Sequence, residues 1–174
     1  MSTAVSYWGI QQSIGAVVQA GISASIPVVL EDEIAWADQW VGVYLIGRSA
    51  TERLQRLTQG FQADFEINYE IEVRIYGMAL DQTIAVRDEL LADIELVLQN
   101  NKTIAGAVET SWITGGDHVT ARDAKPGKFL AAATINLVCA QTAIYAVPSG
   151  ETGYRITPEL FRRVTPEGLN RVIP

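Results

Sequence analysis

Few residues of this chain are placed to do chemistry. Glu70 and Glu72 lie two apart in the stretch Phe61 to Gly77, FQADFEINYEIEVRIYG, a spacing that puts both carboxylates on one face of a β-strand. Such a pair can act as general acid and base, or hold a metal. The same face offers no histidine and no apolar pocket to raise a carboxyl pKa, which favours a solvated or interface-facing acidic surface. His118, the only histidine, stands beside Asp117 in the pattern of a base with its orienter. No serine or cysteine is tied to it by spacing or by a G-x-S-x-G turn, so an exposed loop histidine is the expectation.

The remaining candidates are weaker. Cys139 has no second cysteine to pair with and sits in an apolar run, where a small buried thiol is expected. Glu31, Asp32 and Glu33 lack the spacing and glycine of a calcium loop. Gly115-Gly116 and Gly127-Lys128 are not followed by a phosphate-cradling pattern. The chain therefore reads as a non-enzyme with no cofactor and no metal site.

The elements that carry these residues are more informative. From Phe61 to Ile75, Phe61, Ala63, Phe65, Ile67, Tyr69, Ile71, Val73 and Ile75 alternate with polar or charged residues. This predicts one long strand with a buried and a wet face. It exceeds the usual strand of a small domain, so it reaches past the core toward another subunit or a channel. A composition of 174 residues, 48% hydrophobic and 19% charged, fits one compact domain. A net charge of -7 disfavours a protein that grips the nucleic-acid backbone. No apolar run reaches bilayer length and Met1 to Ile22 lacks the form of a secretory signal, so no membrane association is expected.

An amphipathic helix is predicted over Val5 to Ile22, and the pattern allows a short strand at Pro27 to Glu31. A second strand follows at Trp40 to Arg48. The polar stretch Arg48 to Gly60 reads as the connection into the long strand, making a hairpin. A second helix runs from Asp81, as its cap, to Gln99, with Ile84, Leu91, Ile94 and Leu98 as its apolar stripe and Arg87 off it. Strands at Val108 to Ile113 and Lys128 to Tyr145 are joined by a loop, Thr114 to Lys128, carrying Arg122, Lys125 and Lys128. The last strand is apolar or small on both faces, so Leu130, Val138 and Ala140 need cover. The fold class is α+β: a mainly antiparallel sheet of about four strands with two packed helices, in helix-hairpin-helix-hairpin order. Residues 1–147 form this domain, and 148–174 a C-terminal extension. That extension holds two Thr-Pro-Glu helix starts and a short helix with Leu160, Phe161 and Val164.

These elements, with the phrases FEINYEIEVRIYG, ALDQTIAVRDELLADIELVLQNN, TIAGAVETSWITGG and KFLAAATINLVCA, resemble a tail terminator, or tail completion, protein of long-tailed bacteriophages. The resemblance covers Val5 to Ala140. It implies a structural virion protein, assembled in the host bacterial cytoplasm, whose hexameric ring caps the head-proximal end of the tail tube and stops its growth. The ring would also join the head or neck connector, with genomic DNA passing through its lumen. On that reading Asp64, Glu66, Glu70 and Glu72 line the channel, where repulsion keeps DNA sliding. The Arg122, Lys125 and Lys128 loop and the tail residues Leu160, Phe161, Arg162, Arg163 and Val164 are then candidate docking elements for a neighbouring subunit or neck partner. Another neck or head-completion protein, or the tube cap of a contractile injection particle, is the alternative. A small α+β enzyme or ligand-binding domain is the remaining one.

Overall fold

The computed structural model describes residues 5–31, 37–57, 60–125 and 127–146, of which 51–57, 60, 61, 122–125 and 144–146 are described by backbone alone. In chain order the elements are α1 (Tyr7–Gly21), β1 (Val28–Leu30), β2 (Gln39–Leu57), β3 (Gly60–Gly77), α2 (Leu80–Asn100), β4 (Thr110–Gly115), β5 (His118–Lys125) and β6 (Lys128–Ala146).

One six-stranded sheet has the order β1-β2-β3-β6-β4, with β5 also paired to β6. It is mixed: β1 runs parallel to β2, and the other pairings are antiparallel. The expected four-stranded, hairpin-built sheet is therefore corrected on two counts. First, the backbone does not turn after Arg48 but stays in β2 to Leu57, which pairs with Gly60. Ser49 and Thr51 carry turn chemistry, yet cross-strand bonding to β3 overrides it, and bulges between Leu45 and Gly47 and between Thr51 and Gln55 absorb the mismatch. Second, most of the predicted Thr114 to Lys128 loop is the strand β5, because the outer edge of β6 is open beyond β4 and takes it as a partner. β4 and β5 together make one interrupted edge strand. At the interruption Gly116 lies against Thr134, where a Cβ would collide with the Thr134 carbonyl oxygen.

Both helices lie on one face of this sheet. The odd-numbered residues of β3 supply the centre of the core, with Ile67, Tyr69, Ile71, Val73 and Ile75 meeting Ile10, Ile14, Val17 and Val18 of α1 and Leu90, Ile94 and Leu98 of α2. Register sets the layers: Ile71 stands between Val43 of β2 and Ile135 of β6. α1 starts at Ser6, whose hydroxyl accepts the Gly9 amide at 3.1 Å. Its buried Gln11 donates from Nε2 to the Val43 carbonyl at 2.7 Å, fastening helix to sheet. α2 begins one residue before the expected Asp81 cap. Its cap is Ala79, which makes no side-chain bond, while Asp81 sits in the first turn near the positive helix end. The buried row of α2 is Thr83, Arg87, Leu90, Ile94 and Leu98, so Arg87 belongs to the stripe and not off it. Its guanidinium Nη2 reaches Asp88 at 2.7 Å, which lets a charged residue occupy a buried row.

The sheet outruns the helices. β3 has 18 residues, about 60 Å of strand, against about 32 Å for the 21 residues of α2. Beyond Tyr44 the burial of β2 falls away, and Leu45, Ile46, Arg48, Ser49 and Ala50 are exposed. Arg48 keeps one link to the start of α1, donating from Nη1 to the Tyr7 hydroxyl at 2.7 Å. Among the described residues no helix is long and apolar enough to cross a membrane. The 148–174 extension lies outside the described residues.

Candidate assembly surface

Alternation along β3 gives the sheet its second face. Because the odd residues point to the helices, Asp64, Glu66, Asn68, Glu70, Glu72 and Arg74 form one row on the opposite side. All are half-buried. The four acidic residues singled out in the sequence thus share one face, away from α2.

That row is not uniform. Glu72 accepts from Arg74 Nε at 2.7 Å, and the Arg74 guanidinium lies 5.1 Å from the Trp40 ring centre, across the strand pair. Partial burial pulls the Arg74 pKa down, but the hydrogen bond and charge of Glu72 outweigh it and hold the group above its ordinary value. At the other end Asp64 accepts from Thr142 Oγ1 at 2.9 Å. Between them Glu70 stands next to Tyr44 and Asn136, and Glu66 next to Ser49 and Ala140. Among the described residues neither of these two carboxylates has an ion-pair partner. The Thr142 hydroxyl that bonds Asp64 is neutral, so the negative potential of the face comes from Asp64, Glu66 and Glu70, while Glu72 is offset by Arg74.

Part of the apolar surface of β6 on this face finds cover within the chain. Val138 is 7% exposed, with Trp112 of β4 paired to it and taking the exposed position at 40%. Leu130 and Ala140 are half-buried. The cover expected from a partner is thus supplied at Val138 by an intramolecular strand.

The basic cluster is also altered. Lys128 Nζ bonds Asp38 Oδ2 at 2.5 Å, tying the start of β6 to the residue before β2 instead of standing free for docking. Arg122 and Lys125 belong to β5, and Lys125, the last residue of that strand, pairs with Lys128 across the β5–β6 turn. Leu160, Phe161, Arg162, Arg163 and Val164 lie outside the described residues. His118 is exposed, as expected, but opens β5. Cys139 is fully buried on the helix face, and burial pushes its thiol up to about 12. The Tyr69 phenol is likewise raised by burial, and it donates to the Tyr7 carbonyl at 2.9 Å.

A depression of about 250 Å³ at the start of α1 is lined by Val5, Ser6, Gly9, Ile10, Ala107 and Gln141. None of these titrates, so the depression offers no general acid or base. Sequence reasoning misses the Trp40, Arg74 and Thr142 partners of the acidic row. Only one of these leaves a local signal, since Arg74 follows Glu72 at the same-face spacing.

No family model and no curated protein sequence matches the chain. Among solved structures the chain is similar to the sheath/tube terminator of an extracellular contractile injection system in its extended state, with a TM-score of 0.46 and 11% identity. The match covers 89% of this chain and 64% of that one, so this chain spans a little under two thirds of the terminator's length.

Proposed function

We propose that this chain is a tail terminator: a structural protein whose copies form a hexameric ring on the head-proximal end of a phage tail tube, end its growth and join the head or neck connector. The observation that carries this reading is the long sheet, with α1 and α2 on one face and an acidic second face along β3 that no helix of the described residues covers. A ring built with that face inward has a lumen whose charge repels the DNA backbone, so DNA slides without being held. The tube protein and the connector are the partners, and the virion tail is the location. The support is the sheet together with the resemblance in the sequence. Imaging of intact particles tests it: density for this chain as a six-fold ring between tube and connector is expected, and the chain at another site or symmetry overturns it. The tube end of a contractile injection particle is separated by the same images, because no DNA-filled head is then attached.

A further inference from the structure

Two stretches of main chain lack a strand partner. β1 covers the outer side of β2 only from Val41 to Val43, and β4 with β5 covers the outer side of β6 only up to Ala140. Among the described residues, the outer edge of β2 from Leu45 to Leu57 and that of β6 from Gln141 to Ala146 pair with no strand. The Val41 amide donates outward to Pro27 at 3.0 Å and the Val43 carbonyl accepts from Glu31 at 3.3 Å. The bulge between Leu45 and Gly47 moves this alternation by one residue, which turns the main-chain groups of Arg48 and Ala50 outward. On β6 the Ala140 carbonyl accepts from the Glu109 amide, and the Thr142 amide then donates to Glu109 Oε1, both at 3.1 Å. A side chain stands there where a strand would otherwise continue. The open edge of β2 is longer than most whole strands, and long bare edges are covered in native assemblies.

We infer that the two edges are the halves of one joint: the outer edge of β2 around Gly47–Thr51 pairs with the outer edge of β6 around Gln141–Ala146 of a second copy. This rests on the ring reading above. The edges differ and lie on opposite sides of the same extension, so the contact is heterologous and repeats from copy to copy until rotation closes it. Closure leaves neither of these two stretches bare. β2 and β6 run in the same sense, since each is antiparallel to β3, and cyclic symmetry keeps that sense, which makes the joint a parallel pair. Charge favours the unlike pairing. Residues 48–57 carry Arg48, Arg53 and Arg56 against Glu52, whereas 141–146 carry no charge and adjoin Glu109. Joining β2 to itself brings arginines together, and joining β6 to itself brings the two Glu109 together.

Cross-linking tests it. Ser49 and Thr142 are both on the acidic face, opposite Glu66 and Asp64, and the sole native thiol, Cys139, is fully buried. Ser49→Cys and Thr142→Cys proteins, assembled and treated with a short bifunctional thiol linker, are expected to give covalent dimers only when mixed. The double variant is expected to give a ladder of higher multimers. Dimers from either single variant alone, or no cross-link in particles whose images show the ring, overturn the joint while leaving the ring reading intact. A ladder from protein that builds open filaments and never a ring supports the joint and overturns the ring reading instead. As a second variant, Ala50→Pro removes an outward amide and leaves the β3 ladder intact. It is expected to keep its unfolding midpoint and lose assembly, and normal assembly by that variant counts against the joint.

Discussion

Arg74 and Glu72, two residues apart on β3, meet at 2.7 Å while the guanidinium covers the Trp40 ring on β2. The contact closes one end of the acidic row and locks the β2–β3 register at the same point. The Glu72 side chain is 16% exposed and that of Arg74 39%, so screening discounts the ion pair. Arg74→Ala is expected to cost about 1 kcal/mol from ion pair and cation–π contact together. Arg74→Lys is expected to recover part of that, because a lysine keeps the charge but loses the planar stacking. Urea denaturation of the two variants measures both.

Cys139 gives a prediction in pH. Its thiol rises from the ordinary 9.0 to about 12 in the folded chain. The unfolded chain therefore loses this proton first as pH rises, and stability falls between about pH 9 and pH 12. Below that window the contribution is fully present. Cys139→Ala is expected to be less stable at neutral pH from the lost packing, yet to show a shallower decline across the window, apart from the share due to Tyr69. Unfolding midpoints against pH for both proteins check the slope, and a thiol reagent at about pH 8, below the range in which a free thiol is mostly ionised, should leave native Cys139 unmodified.

Much of this arrangement is legible in the sequence, and what is not has a common cause. Period-2 alternation places β3 within a residue of its ends and puts Asp64, Glu66, Glu70 and Glu72 on the face opposite α1 and α2, because a strand buried on one side writes its pattern locally. The second half of β2 and all of β5 are hidden. Ser49, Thr51 and the Gly115-Gly116 pair look like turns in isolation, and only the hydrogen-bonding partners β3 and β6, far off in sequence, make those stretches strands. Arg87 is misread for the opposite reason, since a charged residue at a buried helix position is visible only once Asp88 is seen to pair with it. The Arg74 contact to Trp40 is set by register across β2 and β3, which no local spacing encodes.

Asp64, Glu66 and Glu70 carry the negative charge of the open face that no ion pair among the described residues offsets, and Asp64 also holds Thr142 across the sheet, so Glu66 and Glu70 are the positions at which charge can be changed with least effect on folding. Glu66→Lys with Glu70→Lys is expected to leave the unfolding midpoint nearly unchanged. If the face lines the lumen, DNA release should slow and become more dependent on salt, with tail length unaffected. Release measured on particles carrying the double variant, at low and high salt, decides this. Unchanged release at every salt concentration removes the channel role of the row.

The last prediction concerns the chain after Pro148. Every residue of the described core lies between Ile10 and Ala143, so the helices and sheet assemble that core from residues that precede the extension. Truncation after Pro148 is expected to shift the unfolding midpoint little. The sequence beyond it holds Arg155, Arg162, Arg163 and Arg171 with Leu160, Phe161 and Val164, a combination of charge and apolar side chains suited to a partner surface. A segment that orders on a partner loses conformational entropy on contact, and those side chains are what can offset it. The truncated protein should therefore fold and yet assemble necks poorly. Infectious particles at normal yield from the truncated protein would show that the segment has no part in assembly.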